Sequence, residues 1–287
     1  MDHITPQITR RDTFKGLAVG ALAGMGGGWA SAAERQPLSV GKPKSWPKVD
    51  VLVCGGGPAG IAAALMASRA GAKTLLVERY GRLGGMAVQA MVGPLMGHVR
   101  SMWVDEIVER VGGRRVDYEF IDLRYADMLQ EVGCQILLHA WMAEPLMEGR
   151  RVVGARFITK EGPIDVKAHT TVDATGDGDV AAGAGAKFDL GRGAGPSWEA
   201  DGLMQPMTIM FRVSGVKHEE SMAVKGGRKR YRFPDGRTWN QLTKDSYARG
   251  ELPKNVGMLR TYVSCRDEER VINATQINGV DGTKAQD

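Results

Sequence analysis

The sequence predicts an α/β fold built on a parallel sheet, and three observations predict it. Val49-Asp50-Val51-Leu52-Val53-Cys54 is an apolar, β-branched run ending at a glycine cluster, as a buried parallel strand does. Gly55-Gly56-Gly57-Pro58-Ala59-Gly60 follows in G-x-G-x-x-G spacing, and the Ala-rich segment 61–70 after it has helical propensity with Gly71 placed to cap it. Lys73-Thr74-Leu75-Leu76-Val77 is a second apolar run, so strand, turn, helix and strand make one β-α-β unit.

Before this unit the chain carries an address. Thr9-Arg10-Arg11-Asp12-Thr13-Phe14-Lys15 precedes a Gly- and Ala-rich run at 16–29 and then Ala30-Ser31-Ala32, an order that resembles a twin-arginine export signal with an A-x-A cleavage site. The apolar run is too short and too glycine-rich to span about 30 Å of hydrocarbon, so no stable membrane anchor is expected. The resemblance implies a partner, the twin-arginine export machinery, and a periplasmic or extracytoplasmic location in a bacterium. Residues 1–32 are read as the signal and 33–48, bearing Pro, Lys and Ser, as a linker.

The 287 residues can bury one substantial core and a smaller second one, with 43% hydrophobic and 25% charged residues. This excludes disordered and collagen-like chains. The net charge of +5 is mild, and the basic run KGGRKRYR at 225–232 reads as a solvated loop, so nucleic acid is not an expected partner. Cys54, Cys134 and Cys265 lie far apart without a C-x-x-C pair, and the five histidines show no ligand spacing, so neither a disulfide framework nor a zinc site is expected.

Each glycine of the turn has a physical task. Gly55 permits the tight turn, Gly57 lets backbone approach a pyrophosphate, and Gly60 lets the helix lie close to the sheet. The helix that starts at Pro58 then presents unpaired N–H groups, from Ala59 onward, to the phosphates. Glu78 closes the second strand eighteen residues beyond Gly60, where a carboxylate can accept hydrogen bonds from a ribose. Its loss is expected to weaken binding and leave folding largely intact. This is a Rossmann-like dinucleotide site, and the fingerprint alone leaves FAD and NAD both open.

Three further segments favour FAD. Glu78-Arg79-Tyr80-Gly81-Arg82-Leu83-Gly84-Gly85-Met86 places a Gly-Gly pair after the ribose acid; Val172-Asp173-Ala174-Thr175-Gly176-Asp177 holds an A-T-G segment; Gly202 to Val213 resembles the strand with which the substrate domain of a flavoprotein family starts. On these segments the chain resembles the FAD-dependent oxidoreductases of the broad glutathione-reductase-like flavoprotein superfamily. The resemblance implies an FAD-binding domain at 49–190, with parallel sheet and a small β-meander, and a partial α+β substrate domain at 191–287. It implies cofactor contacts at Gly55, Gly57, Pro58, Ala59, Gly60, Glu78, Arg79, Gly84, Gly85, Met86, Ala174, Thr175, Gly176 and Asp177, with Met142 added where the meander borders the adenine.

The remaining elements follow from periodicity. The segment 123–130 carries Tyr125, Met128 and Leu129 on one side of a helix, 135–139 reads as a strand, and 143–158 as a hairpin turning at Glu148-Gly149-Arg150. Asp177 and Asp179 have D-x-D spacing but no further cation loop, so no metal is expected and they read as caps of the helix through Val180. Met91 to His98 falls near the isoalloxazine ring in the resembled family. His98 is the nearest candidate for proton transfer, and Arg192 and Arg212 are candidates to hold negative charge on flavin or substrate.

The leading expectation is an enzyme in which FAD takes a hydride or electrons from a small organic substrate, the electron acceptor being unread. An NAD(P)-dependent dehydrogenase and a flavin-binding protein without turnover are the rivals. In the resembled family the chain continues past residue 287 with another glycine turn and a helix covering the flavin pyrimidine. The expectation is therefore a C-terminally truncated chain, an exposed apolar edge near 208–213, and weak or absent turnover.

Overall fold

A computed structural model describes residues 41–93, 101–113, 118–193, 199–216, 232–252, 260–264, 266 and 268–284. The export-type signal, the basic run up to Tyr231, His98 and Cys265 lie outside the described residues. In chain order the elements are β1 Lys44–Ser45, β2 Val49–Cys54, α1 Pro58–Arg69, β3 Thr74–Val77, α2 Met86–Gln89, α3 Met102–Arg110, α4 Tyr118–Glu131, β4 Gln135–Leu137, β5 Trp141–Glu148, β6 Arg151–Thr159, β7 Gly162–Asp173, α5 Asp179–Gly183, β8 Phe211–Val213, α6 Trp239–Ala248, β9 Arg260–Val263 and β10 Arg270–Asn273.

The main sheet runs β4-β3-β2-β7-β6-β5. The β4, β3, β2 and β7 strands are mutually parallel where they pair, and their register aligns their carboxyl ends: Cys54 faces Val77 on one side and Asp173 on the other, and Val77 faces Leu137. Everything that leaves these strands therefore starts from one edge of the sheet. The long β7 strand joins two pairings, antiparallel to β6 over its first half and parallel to β2 over its second.

Alternation along β2 sends Val53 to one face and Leu52 and Cys54 to the other. On the first face Val53 and Leu76 pack with Ile61 and Leu65 of α1 and with Tyr125, Met128 and Leu129 of α4. On the second, Leu52 and Leu75 pack with Ala155 and Phe157 of β6 and Val166 of β7. Full burial of each such side chain contributes about 1.5–3 kcal/mol, which commits both faces of β2 to the interior. Gly71 ends α1 at φ +86, and Gly149 turns the β5–β6 hairpin at φ +60.

Several expectations need correction. The linker reading of 33–48 misses β1, which pairs parallel with β7 at Lys44–Ile164, followed by a bond from the Trp46 N–H to the Asp165 carbonyl at 2.9 Å. The first half of β7 offers open backbone groups on that edge, and such groups need partners. The strand at 135–139 stops at Leu137, because His139 takes φ +55. The strand expected over 202–213 shrinks to β8, with one isolated bridge from Met207 to Ile277. Gly202 at φ +64 and Pro206, which lacks an N–H, interrupt the ladder.

The β8, β10 and β9 strands form a separate antiparallel sheet with β10 in the middle and Val271 fully buried. The β8 strand is at its edge, and Ile209 and Phe211 are exposed by 69% and 42%. Among the described residues no helix is long and apolar enough to cross a membrane.

Candidate functional site

The turn between β2 and α1 is built by exclusion. Gly55 has φ +105, and a Cβ there would overlap the Ala174 carbonyl oxygen; one on Gly60 would overlap the Gly55 oxygen. These two glycines let strand, helix and the Ala174 loop close on each other. Gly57 differs, with φ −73 and ψ 177, and the nearest atom to a Cβ on it is Gly85 Cα at 4.0 Å. The space in front of Gly57 is open. Gly57 is the N-cap of α1 with Pro58 beside it, and the first turn has neither a capping side chain nor an acidic residue. Its unpaired N–H groups and positive dipole end are thus left for an anion.

The segment after β3 folds back on this turn. Glu78, 4% exposed, accepts the Gly56 N–H on Oε2 at 2.6 Å and the Tyr80 N–H on Oε1 at 2.9 Å. Two such bonds leave lone pairs on both oxygens for further donors. The Gly84 N–H donates to the Gly56 carbonyl at 2.7 Å, and a Cβ on Gly85, at φ +51, would stand 2.9 Å from Gly57 Cα. The two glycine turns therefore touch, backbone on backbone.

A third wall comes from the end of β7. The Ala174 N–H donates to the Cys54 carbonyl at 2.8 Å, continuing the strand pairing into the A-T-G turn. The cap of α5 differs from expectation. Its N-terminal N–H groups go to Thr175 Oγ1, which accepts from Asp179 at 2.9 Å, and to Asp173 Oδ2, which accepts from Ala181 at 2.9 Å. Asp177 and Asp179 are not the caps, and both side by side border the cavity. A fourth wall comes from the meander, where the Arg79 guanidinium lies over both the Tyr80 and the Trp141 rings, 4.8 and 5.1 Å from their centroids. Such cation–π contacts hold a flexible cation in place.

These walls enclose a cavity of about 470 Å³. Of the residues the sequence pointed to, Gly55, Gly57, Pro58 and Ala59 line it from the first turn, Glu78, Arg79, Gly85 and Met86 from the second, Ala174, Thr175, Gly176 and Asp177 from the third, and Met142 from the meander. Gly60 and Gly84 do not line it: each is packed beneath, Gly60 against Gly55 and Gly84 against Val88. Arg192 and Arg212 are not brought to it either. Arg192 is paired with Asp201, and Arg212 with Glu119 and, at 3.6 Å, Glu269. Each guanidinium is neutralised away from the cavity by a carboxylate that the sequence does not associate with it.

Reading the sequence alone misses Tyr80, Gln89, Ala90, Phe157 and Asp179, which also line the cavity, while Trp141 lies in the 141–143 segment that the resemblance places beside the adenine. Asp179 carried a signal, as the second acid of D-x-D; Phe157 arrives from a hairpin far along the chain and carried none. Below the turn Cys54 is fully buried, and burial followed by the charge of Asp173 pushes its thiol up to about 12. It is a core residue, held in its neutral form.

A family model described as FAD dependent oxidoreductase matches residues 50–287. Thiamine thiazole synthase of Aeropyrum pernix is 29% identical over 146 residues, 44% of this chain and 54% of that protein. Pseudooxynicotine dehydrogenase of a Pseudomonas species is 34% identical over 103 residues, 34% of this chain and 21% of that protein. A solved structure of a geranylgeranyl bacteriochlorophyll reductase-like protein from Thermoplasma acidophilum is 16% identical with TM-score 0.46, over 79% of this chain and 56% of that one. The chain thus spans about half, or less, of the length of these relatives. With the family model matched over residues 50–287, the chain belongs to the FAD dependent oxidoreductase family.

Proposed function

We propose that the chain binds FAD in this cavity and acts as an oxidoreductase on a small organic substrate. The observation that carries the reading is the open face of Gly57, where backbone is bare and the uncapped start of α1 meets the second glycine turn at Gly85. A diphosphate fits such a cradle because it needs N–H donors, a positive dipole end and no Cβ in the way. Glu78 holds a ribose hydroxyl with its remaining lone pairs, and Asp177 accepts from hydroxyls at the third wall. FAD, when bound, supplies transfer of hydride or electrons, while the protein supplies position, charge and shelter from water.

Within this reading, 49–190 is the FAD-binding domain and 191–287 part of a substrate domain, supported by the separate sheets of β2 and β10. The test is to purify the full chain, record its visible spectrum, titrate it with FAD and with NAD, and follow anaerobic bleaching against alcohols, sugars and acids. A yellow protein preferring FAD and bleached by one class of substrate is the expected result. Preference for NAD, or no nucleotide binding, sinks the proposal; FAD held without bleaching by any substrate limits it to binding.

We also propose export through the twin-arginine route to the periplasm, on the strength of Arg10-Arg11 and the segments after them. An R10K/R11K chain should stay in the cytoplasm as precursor, and normal export of that variant would reject the route.

A further inference from the structure

We infer that Asp173 is a positioning residue of the cofactor site, setting the A-T-G wall without touching the ligand itself. This rests on the reading of the cavity as an FAD site. Asp173 is the last residue of β7, opposite Cys54, and is not among the residues that line the cavity. Its carboxylate gathers the turn that does. Oδ1 accepts the Thr175 N–H at 3.2 Å and the Thr175 hydroxyl at 2.7 Å, and Oδ2 accepts the Ala181 N–H at 2.9 Å. Thr175 Oγ1 in turn accepts the Asp179 N–H at 2.9 Å.

One carboxylate and one hydroxyl therefore close a loop from residue 173 to residue 181. Gly176 and Gly178, at φ +97 and +74, make the loop bulge outward between those anchor points. Four residues of the bulge, Thr175, Gly176, Asp177 and Asp179, line the cavity. The arrangement also spends the Thr175 hydroxyl: its proton goes to Asp173 and it already accepts one N–H, so its side chain serves the turn before it serves a ligand. An acceptor-only group is required at 173, because all three donors point at it. Asparagine matches the size but turns an NH2 donor toward one of those N–H or O–H groups, and a half-buried donor facing a donor is unfavourable.

The experiment compares the full chain with the Asp173→Asn, Thr175→Val and Thr175→Ser variants. FAD affinity is measured by quenching of flavin fluorescence, the visible circular dichroism of the bound flavin is recorded, and folding is followed by thermal melting. D173N and T175V should weaken FAD binding tenfold or more and alter the flavin dichroism, while T175S, which keeps the hydroxyl, should restore both. If D173N does not fold, the T175V and T175S pair decides. Wild-type affinity and dichroism in T175V and in any folded D173N overturn the role of Asp173 alone. A wild-type chain that takes up no FAD overturns the cavity assignment, and this inference with it.

Discussion

The Glu78 carboxylate reaches from the end of β3 to the Gly56 N–H at 2.6 Å, tying the second strand to the turn after the first. Because the same carboxylate also holds Tyr80, it is a structural brace as well as the proposed ribose ligand. This revises the expectation that its loss leaves folding intact. Glu78→Ala should lower stability by about 1–3 kcal/mol, chiefly the cost of stranding the buried Gly56 N–H, and weaken FAD binding at least tenfold. Urea unfolding and FAD titration measure the two effects, and unchanged affinity in a folded variant would rule out the ribose contact.

Gly57 and Gly60 should separate under substitution. Alanine fits the backbone of Gly57, and its Cβ would occupy open cavity, so Gly57→Ala should melt like wild type while losing FAD affinity by tenfold or more, about 1.4 kcal/mol. Gly60→Ala drives a Cβ into the Gly55 oxygen and should destabilise the fold by about 1–3 kcal/mol. Equal melting losses in the two variants would contradict the geometry.

Alkaline pH should weaken the fold through Cys54. Its thiol rises from 9.0 to about 12 in the native state, so between these values the unfolded chain releases a proton that the folded chain keeps. The stabilising contribution is whole below pH 9.0 and is lost toward pH 12, at up to about 1.4 kcal/mol per pH unit. Cys54→Ala should flatten this slope in unfolding experiments above pH 9.0. In the native chain at neutral pH, peptide mapping after iodoacetamide should find Cys54 unlabelled.

Arg212→Ala should leave FAD affinity within about twofold, since Glu119 and Glu269 hold the guanidinium outside the cavity. Half-exposed ion pairs of this kind contribute about 0–1 kcal/mol, so the melting temperature should move little. A loss of flavin reduction at unchanged affinity would instead return Arg212 to the chemistry.

The β2 strand, the glycine turn, α1, β3 and Glu78 are legible in the sequence because they are contiguous. Apolar runs, glycine spacing and the distance to the acid are local properties, each fixed by the geometry of one β-α-β unit. The β5–β6 hairpin is legible for the same reason, through Gly149 between two apolar runs. By contrast, β1 beside β7, Trp141 against Arg79, Glu119 on Arg212 and the contact of Gly57 with Gly85 follow from long-range register. Asp173 shows the difference within one segment. Its place before Ala174-Thr175-Gly176 is plain in the chain, yet its work as a cap for α5 appears when β7 ends level with β2 and the turn closes over its carboxylate. Sequence spacing determines which backbone can bend; packing of distant strands determines which polar groups meet once it has.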